Sequence, residues 1–591
     1  MEKATESYKN KDTIPELLLQ RATSFPHDVV YSFPELGQHY SWAQIWNEVQ
    51  LLAKGFLQLG IQKGDRVALL MQGRIELILS MYAAACVGAV IVPLNAYSKK
   101  EELQNYIQDA KPSLMIMGTG GHHLNYPLLM QEIIAEAALS GTDISWLPAQ
   151  IFVLDESALF QSPFRPFSEL YQLASDTEEQ FFRLAYESTR IEDPLILLYT
   201  SGTLGTPKGV LRTTASFLVK GSGEKGRRKG SPWMTGLIDR VAHKFKLFSL
   251  LPLYHLGGFA TLFTTLKVCN VRVVMLTHFN PVNALSVLEL EKCQIMTGTP
   301  FMIQQMLSSP RRIEFDLSSL VGLVFTSAAM NNTLLNKVSK DPGLKLVFFM
   351  VSYGSSEAGS VANGVCFLNR RKNPLWSLLY LLLSYTSFLS GMIDPKDLER
   401  GGFSFGGKVD KGVEVKIVSP ETGEDLPRHA HGEIAIRSHK VMRYMKENTV
   451  NPCFTDDGWY RSGDSGFLDE QRNLMITGRL NRMISRGGEK ISPVEVENVL
   501  VKQGGVEEAF VVGVPDDLYG ELVCACIIPE RGASLSAERL KESLTPHLSA
   551  FKIPHYILFL PSFPLSATGK ISVSDIQNLA LERIGELKKN A

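Results

Sequence analysis

The chain has 591 residues and carries 60 lysines and arginines against 61 aspartates and glutamates. One hydrophobic core rarely supports so long a chain, so we expect two or more domains, and the near-zero net charge implies no nucleic-acid partner. With 45% hydrophobic and 20% charged residues, the composition is that of an ordinary globular protein.

The cysteines and the N-terminus bear on where the chain works. Seven cysteines are scattered along it, and their spacing does not match a paired metal-binding motif. Because free thiols persist best in a reducing compartment, this pattern favours an intracellular protein. The N-terminal residues are charged and polar and precede no apolar stretch, so we expect no secretory signal and a cytoplasmic location.

The first predicted elements are parallel α/β layers. From about residue 14 to 355, short β-branched runs such as 66–70, 89–93 and 320–325 alternate with segments of helical length. Such alternation is typical of parallel strands with helices packed on both faces.

Residues 198–210 read LYTSGTLGTPKGV, an apolar strand that leads into a loop of glycines and hydroxyl residues with a lysine near its end. Glycines let the backbone approach an anion closely, and hydroxyls and a lysine offer donors and charge, so we predict a phosphate-binding loop. It is not the Walker loop, because Pro207 precedes the lysine and Gly209 follows it. On these residues alone, an ordinary turn or linker stays an alternative. The candidate phosphate-binding residues are Thr200, Ser201, Gly202, Thr203, Gly205 and Lys208.

Two later segments stand out by composition. Residues 221–246 are rich in lysine, arginine and glycine, which predicts a solvated basic loop. Residues 374–393 carry no charge and are flanked by charged residues on both sides. Their length permits a buried helix, an in-plane membrane helix or a membrane span, and length alone does not decide among these. A basic loop and an apolar insert together would support peripheral membrane contact.

The pattern changes after residue 402, where close-set strands and turns predict an antiparallel subdomain. The last stretch has compact α+β patterning, and Ser492 followed by a proline marks the start of a helix over 492–502. We therefore predict an N-terminal domain over 1–480 and a C-terminal lid domain over 481–591.

The loop at 198–210 and several later segments resemble, in chain order, the core motifs of the adenylate-forming superfamily. This superfamily holds acyl-CoA synthetases, carrier-loading adenylation domains and luciferases, and the chain is most similar to the acyl-CoA synthetases. The resemblance implies a large N-terminal domain of layered α/β subdomains with a small β-rich subdomain, followed by a mobile α+β lid. The chain departs from the family pattern at Leu204, where Thr or Ser is usual, so we expect one hydroxyl donor on the pyrophosphate side to be missing. The later matching segments are 251–258, 327–329, 352–357, 459–464, 478–479, 484–497 and 566–572.

The resemblance implies a nucleotide site. The small residues of segment 327–329 would back the adenine, Tyr353 would stack on it, Ser356 would contact the α-phosphate, and Glu357 would hold magnesium. A carboxylate together with ATP oxygens and water is an ordinary magnesium shell. A tightly packed strand end is the plainer alternative for segment 327–329. The residues assigned here are Ser327, Ala328, Ala329, Tyr353, Gly354, Ser356 and Glu357.

The ribose and the hinge follow in the same series. Asp464 would accept hydrogen bonds from both ribose hydroxyls, although a turn cap is its plainer alternative. Arg479 would reach the ribose and phosphates with a planar fork that a lysine lacks. Asn481 occupies the family's hinge position.

The remaining lid residues are assigned by resemblance to the thiol and to catalysis. Gly487 and Gly488 would lie beside the pantetheine arm of CoA, and Lys490 takes a position that is often basic in relatives. Lys570 would bridge the substrate carboxylate and the α-phosphate of ATP, although a single surface lysine is otherwise a solvated charge.

The acid pocket is the least specific part of the pattern. His255 lies in a segment that borders the acyl pocket in the family, although a lone histidine is also common as a satisfied core residue. Phe301, Met302 and residues 256–262 offer no charge for a second polar group of the substrate, which favours a hydrophobic acid.

The resemblance thus implies an ATP-dependent acid–thiol ligase that uses ATP, Mg2+ and CoA. We expect a medium- or long-chain fatty acid, with Thr200, His255, Glu357 and Lys570 in catalysis. The alternatives are an acyl-AMP ligase that loads the phosphopantetheine of a carrier protein, an aryl-acid ligase, and a non-catalytic protein that binds a nucleotide or lipid.

Overall fold

The structure is a computed structural model. It describes residues 12–121, 124–139, 143–154, 163–200, 208–217, 240–267, 270–326, 334, 338, 341, 343–368, 392–393, 404–444, 453–455, 457–486, 489–516, 519–548, 550–565 and 571–590.

The described strands fall into four sheets. They are β1 (Val29–Phe33), β2 (Gln38–Ser41), β3 (Arg66–Leu70), β4 (Val90–Pro93), β5 (Leu114–Met117), β6 (Gly120–Gly121), β7 (Leu124–Asn125), β8 (Gln150–Val153), β9 (Phe164–Pro166), β10 (Pro194–Thr200), β11 (Lys208–Thr213), β12 (Lys246–Ser249), β13 (Arg272–Met275), β14 (Ile295–Gly298), β15 (Gly322–Phe325), β16 (Phe348–Ser355), β17 (Gly359–Phe367), β18 (Met392–Ile393), β19 (Ser404–Val409), β20 (Glu414–Val418), β21 (Gly432–Arg437), β22 (Arg443–Tyr444), β23 (Tyr460–Leu468), β24 (Asn473–Arg479), β25 (Ile484–Arg486), β26 (Glu489–Ile491), β27 (Val506–Asp516), β28 (Gly520–Pro529) and β29 (Tyr556–Phe559).

The described α-helices mostly cover the faces of these sheets. They are α1 (Ile14–Ser24), α2 (Trp42–Gln58), α3 (Ile75–Cys86), α4 (Lys100–Ala110), α5 (Tyr126–Leu139), α6 (Glu169–Leu173), α7 (Glu179–Glu187), α8 (Leu256–Lys267), α9 (Pro281–Glu291), α10 (Pro300–Leu307), α11 (Pro493–Leu500), α12 (Ala537–Leu544) and α13 (Val573–Asn590).

The first sheet is the parallel α/β layer that the sequence predicts. Within the described part of the chain it has eight strands in the order β22-β11-β10-β4-β3-β5-β8-β9, and β10, β4, β3, β5, β8 and β9 run parallel. Along β3, Val67 and Leu69 join the core formed with α2 and α3, while Ala68 and Leu70 join the core formed with α4 and α5. Because alternate side chains of a strand point to opposite faces, helices must cover both sides.

The second sheet joins a parallel half to an antiparallel half. Counted over the described residues it has 14 strands, with β18 beside β17 and the others in the order β2-β1-β13-β12-β14-β15-β16-β17-β19-β24-β23-β21-β20. The strands from β1 to β16 in this order are parallel, and every pairing from β16–β17 to β21–β20 is antiparallel. The antiparallel pattern predicted after residue 402 is confirmed, and these strands continue the α/β sheet instead of forming a sheet of their own.

The chain after β24 forms a smaller sheet. Its order is β26-β25-β28-β27, and β29 also pairs with β28, in parallel register over Cys524–Ile527. Helices α11 and α12 pack on one face, and α13 packs on the other. Side-chain hydrogen bonds between described residues tie this unit to the rest: Gln304 Nε2 donates to Glu508 Oε1 at 3.0 Å, and Ser492 Oγ donates to the Thr477 carbonyl.

Individual elements follow the sequence closely. The predicted helix over 492–502 begins at Pro493, directly after the N-cap Ser492, and ends at Leu500, because the chain then turns through Gly505 at φ +86° to enter β27. The strand predicted over 320–325 begins two residues later, as β15.

Two findings concern the apolar segments and the cysteines. Among the described residues, no helix is long and apolar enough to cross a bilayer. Residues 374–391 lie outside that part of the chain, and the last two residues of the predicted apolar insert form β18. The six cysteines within it are free thiols, namely Cys86, Cys293, Cys366, Cys453, Cys524 and Cys526.

The cap of α11 gives a stability prediction. Ser492 Oγ accepts from Glu495 N at 3.4 Å and also contacts Thr477 on β24, so Ser492→Ala removes a cap and a bond between two sheets. Loss of a serine cap costs about 1 kcal/mol. We expect urea unfolding of the C-terminal unit to show a larger loss for Ser492→Ala than for Ser536→Ala, which removes the cap of α12 alone. Equal losses would mean that the Thr477 contact adds nothing.

Candidate active site

Three predicted residues meet at the antiparallel end of the second sheet. Tyr353 Oη donates to Asp464 Oδ2 at 2.7 Å, and Arg479 Nε lies 2.7 Å from Asp464 Oδ1. Asp464 on β23 is paired in register with Arg479 on β24, so the sheet itself sets the ion pair. Asp464 is 6% exposed, whereas the side chain of Arg479 is 55% exposed.

Burial and charge compete at this carboxylate. Burial raises the pKa of Asp464, and the adjacent guanidinium of Arg479 acts in the opposite direction. The negative charge of Asp464 raises the pKa of Arg479, so this cation is held charged. Burial also raises the pKa of Tyr353 well above its ordinary value, which keeps its hydroxyl a donor to Asp464. Each carboxylate oxygen has a second lone pair, so Asp464 can still accept hydrogen bonds from a ligand.

A buried glutamate holds the stretch of β23 that carries Asp464, where the register with β21 shifts. Glu433 on β21 accepts from the backbone N–H of Gly463 at 3.0 Å and from Arg461 Nε at 2.7 Å. Gly463 has φ +69°, a left-handed conformation that glycine adopts without steric cost. Ser462 Oγ donates to the Ile434 carbonyl at 2.7 Å and accepts from Asp464 N at 3.1 Å.

Glu357 lies in the turn between β16 and β17. The Glu357 carbonyl accepts from Met442 N at 2.7 Å, and Ser355 Oγ accepts from Ala358 N at 3.1 Å. Tyr353 and Gly354 are the strand residues that lead into this turn. One end of β16 therefore presents both the candidate adenine-stacking residue and the candidate metal ligand.

The strands on either side of the phosphate-binding loop form a hairpin. β10 ends at Thr200 and β11 begins at Lys208, and these two residues face each other in antiparallel register. Gly209 packs tightly, because a Cβ there would lie 3.0 Å from Leu197 Cδ1 and 3.3 Å from Asp109 Oδ2. The hairpin brings the two ends of the predicted loop together.

His255 lies at the entry to α8. Its backbone carbonyl accepts from Phe259 N at 3.1 Å, and its ring centroid is 4.6 Å from that of Tyr254. The side chain is half-buried beside the core that contains Tyr254.

In the lid, the structure describes the surroundings of the predicted residues. β25 and β26 form the hairpin that encloses Gly487 and Gly488, and a bridge between Leu565 and Ile571 joins the two ends of segment 566–570. The predicted site residues outside the described residues are Ser201, Gly202, Thr203, Gly205, Ser327, Ala328, Ala329, Gly487, Gly488 and Lys570.

The single carboxylate of Glu357 would suit a metal ion that is also bound by ATP. Among the described residues, no group of three or more histidine, cysteine, aspartate or glutamate side chains could enclose a metal ion. A single carboxylate fits magnesium, which keeps water ligands and is often bound by one carboxylate together with substrate phosphates.

A family model described as AMP-binding enzyme matches residues 18–444, and one described as AMP-binding enzyme C-terminal domain matches residues 495–570. The chain belongs to the AMP-binding enzyme family.

Relatives that match nearly the whole chain are named as acyl-CoA ligases. The medium-chain acyl-CoA ligase ACSF2, mitochondrial, of Danio rerio is 27% identical over 579 residues, which cover 97% of this chain and 89% of the relative. The long-chain-fatty-acid–CoA ligase of Bacillus subtilis is 27% identical over 574 residues, which cover 95% and 93%.

Solved structures agree with the fold. ATP-bound MatB from Rhodopseudomonas palustris has a TM-score of 0.73 at 22% identity, covering 96% of this chain and 98% of that one. The anthranilate CoA ligase AuaEII in complex with anthranoyl-AMP has a TM-score of 0.74 at 21% identity, covering 96% and 97%. The predicted superfamily, the α/β fold and an enzyme of AMP-forming acyl-CoA synthetase type are thereby confirmed. Adenylate-forming enzymes use ATP and CoA.

Sequence reasoning missed the residues of this AMP-binding enzyme that support the site from a distance. Glu433 lies 30 positions before Gly463, from whose backbone N–H it accepts a hydrogen bond. Met442 donates its backbone N–H to the Glu357 carbonyl, so its side chain gives no signal in the sequence. Arg212 is almost fully buried and donates to the Ser356 carbonyl at 2.9 Å. An arginine within an apolar strand was the one available signal, since arginine is rarely buried without partners.

The hydrogen bond from Tyr353 gives the next prediction. Tyr353→Phe keeps the ring but removes the donor to Asp464, and a hydrogen bond to a charged group contributes roughly 1.5–3 kcal/mol. We expect AMP binding, measured by isothermal titration calorimetry, to weaken by about tenfold or more.

Tyr126→Phe is the matched control, because it removes a buried hydroxyl that donates to the Ala96 carbonyl at 2.8 Å in the first α/β layer. If both variants bind AMP as the parent does, the Tyr353 hydroxyl has no part in nucleotide binding.

Proposed function

We propose that the protein activates a hydrophobic carboxylic acid, a medium- or long-chain fatty acid, as its acyl adenylate and transfers the acyl group to CoA. The observation that carries this proposal is the buried Asp464, bound by both Tyr353 and Arg479 at one end of the second sheet. An aromatic ring, a carboxylate and a guanidinium match the adenine, the ribose and the phosphates of ATP.

The chemistry needs alignment more than acid–base catalysis. A fatty acid is already ionised at neutral pH, so its carboxylate oxygen attacks the α-phosphorus of ATP without a general base, and the bond to pyrophosphate breaks. Lys570 would hold the carboxylate against the α-phosphate, while Lys208 and the hydroxyls of the 200–205 loop hold the leaving phosphates. Magnesium bound by Glu357 and ATP oxygens would supply positive charge against the pyrophosphate.

The nature of the acid pocket is inferred from α8. The hydroxyls of Thr261, Thr264 and Thr265 all donate to carbonyls within this helix, so they are already satisfied. Phe259 and Met302 are buried in the neighbouring cores. Because the hydrogens of these hydroxyls are already used, they are not available as donors to a substrate, which favours an acid that is apolar beyond its carboxylate.

We propose that the lid over 481–591 rotates about Leu480 and Asn481 between the two half-reactions. Before this pair, Arg479 is bound to Asp464 on the N-terminal side. After it, Arg482 is bound to Glu497 at 2.8 Å and lies 4.2 Å from the ring centroid of Phe510, both in the lid. Since each flanking arginine is held by a different unit, a backbone change is confined to the residues between them. The rotation would withdraw Lys570 and bring Gly487, Gly488 and Lys490 toward the thiol.

The decisive variant is Lys570→Ala. We expect it to reduce fatty-acid-dependent exchange of pyrophosphate into ATP by about 100-fold or more, because positioning of the reacting groups is lost. Transfer from preformed acyl adenylate to CoA should fall much less. The assay compares short, medium and long fatty acids with benzoates, with CoA present or absent.

Lys541→Ala is the control in the same lid, since Lys541 Nζ donates only to the His555 carbonyl among the described contacts. Turnover driven by benzoates and not by fatty acids would mean that the substrate is an aryl acid. Acyl adenylate formation without CoA transfer would favour a carrier-protein acceptor, and ATP binding without exchange would favour a non-catalytic binder.

We also propose peripheral membrane contact through residues 374–393 and the basic loop 221–246. A charge-free segment beside charged flanks, together with a basic loop, supplies the two weak attractions that stable attachment needs.

Replacement of residues 374–393 by a glycine–serine linker of equal length should spare ATP binding and lower pelleting with anionic liposomes. The control changes the arginines and lysines of 221–229 to glutamine, which should lower pelleting only at low salt. Unchanged pelleting of both variants would contradict membrane contact.

A further inference from the structure

A buried arginine on β11 has no role in the chemistry described so far. Arg212 is 2% exposed, and its guanidinium carbon lies 5.0 Å from the ring centroid of Phe217. Its Nη1 donates to the Ser356 carbonyl at 2.9 Å, and its Nη2 donates to the Ser216 carbonyl at 3.3 Å. The two carbonyls belong to segments far apart in the chain, and a planar fork reaches both.

The carboxylate that acts on this cation is Glu357. Burial lowers the pKa of Arg212 to about 10, and the charge of Glu357 acts in the opposite direction, so the guanidinium stays charged at neutral pH. Among the described residues, the Nε of Arg212 is buried without a hydrogen-bond partner. Burying a cation in this way is costly unless charge and hydrogen bonds compensate it. The compensation comes from the carbonyls of Ser216 and Ser356 and from the charge of Glu357.

The turn is shaped around the guanidinium. Gly359 has φ +71°, and a Cβ there would lie 2.8 Å from Arg212 Nη2. The Glu357 carbonyl is held in turn by Met442 N, and the next residues along form β22, which pairs with β11 at Leu211. Both attachments of the Glu357 turn therefore lead to β11, the strand that begins at the end of the phosphate-binding loop.

We propose that Arg212 is a positioning residue that fixes the Glu357 carboxylate relative to the β10–β11 hairpin, so that metal and triphosphate are bound together. The proposal rests on the proposed role of Glu357 as the magnesium ligand. It gives β11 a second task besides closing the β10–β11 hairpin, since the same strand would also set the position of the metal ligand.

The experiment measures binding of a non-hydrolysable ATP analogue, with a methylene between the α- and β-phosphates, as Mg2+ is varied. For Arg212→Met we expect the affinity at saturating Mg2+ to fall by about 10-fold to 100-fold, the usual cost of losing a group that orients a metal ligand. Analogue binding without Mg2+, and AMP binding, should change by less than about threefold, because neither uses the metal.

Arg66→Met is the matched control. Arg66 also donates to backbone carbonyls, those of Ala110 at 2.9 Å, Lys111 at 2.7 Å and Gly64 at 3.4 Å, but it lies at the start of β3 in the first sheet. It should lower the melting temperature without changing the Mg2+ dependence. If Arg212→Met loses only melting temperature in the same way, Arg212 is structural and the proposal is wrong.

Two further variants separate the failures. Arg212→Lys keeps the charge but cannot span both carbonyls, so it should fold and show an intermediate loss of the Mg2+-dependent affinity. An unchanged Mg2+ dependence in this variant would overturn the proposal even if Arg212→Met does not fold. Glu357→Gln should abolish the Mg2+ dependence. If Glu357→Gln abolishes the Mg2+ dependence while the Arg212 variants keep it, only the positioning role of Arg212 is wrong. If Glu357→Gln keeps the Mg2+ dependence, both the metal role of Glu357 and the positioning role of Arg212 are wrong.

Discussion

The site depends on a hydrogen bond between two strands that are not neighbours. Tyr353 is on β16 and Asp464 on β23, and three strands, β17, β19 and β24, separate them in the sheet. Four strand spacings in a flat sheet would span roughly 19 Å, so a bond of hydrogen-bond length requires the antiparallel half to curl back on itself. Apolar residues such as Val361, Ile434 and Leu474 pack inside this curl. The candidate nucleotide site is thus a product of sheet curvature, and its polar residues lie where the two ends of the curl meet.

The curl brings charges together and the charges then balance each other. Asp464 would be costly to bury alone, but Arg479 opposite it and Tyr353 from across the curl compensate its charge. The same pattern recurs deeper in the sheet, where Lys440 is 5% exposed and lies 3.1 Å from Asp410. The bond between Tyr353 and Asp464 joins strands that are 111 positions apart in the sequence, so this polar contact also defines which strands meet.

Much of this could be predicted because the informative residues are local. The strand before the predicted phosphate-binding loop and the cap and proline of α11 each lie within a few neighbouring residues, whose pattern reflects their backbone geometry. Arg212 and Ser356 are separated by 144 positions, and no local pattern reports such a contact. The continuity of the parallel and antiparallel halves was missed for the same reason, since it depends on the pairing of β17 with β19 across a long segment. Composition marks a buried strand but does not say which strand is its neighbour.

The short strand β22 has a consequence for how the molecule unfolds. The chain leaves the antiparallel half of the second sheet near Lys440, which is bound to Asp410. A few residues later it forms β22, which pairs with β11 at the edge of the first sheet. Thermal unfolding of either large sheet therefore also breaks the β11–β22 pairing that joins it to the other. The C-terminal unit is linked through the short Leu480–Asn481 connection and a small number of side-chain contacts. In a calorimeter the two large sheets should melt as one cooperative block, with the lid as a separate and smaller event.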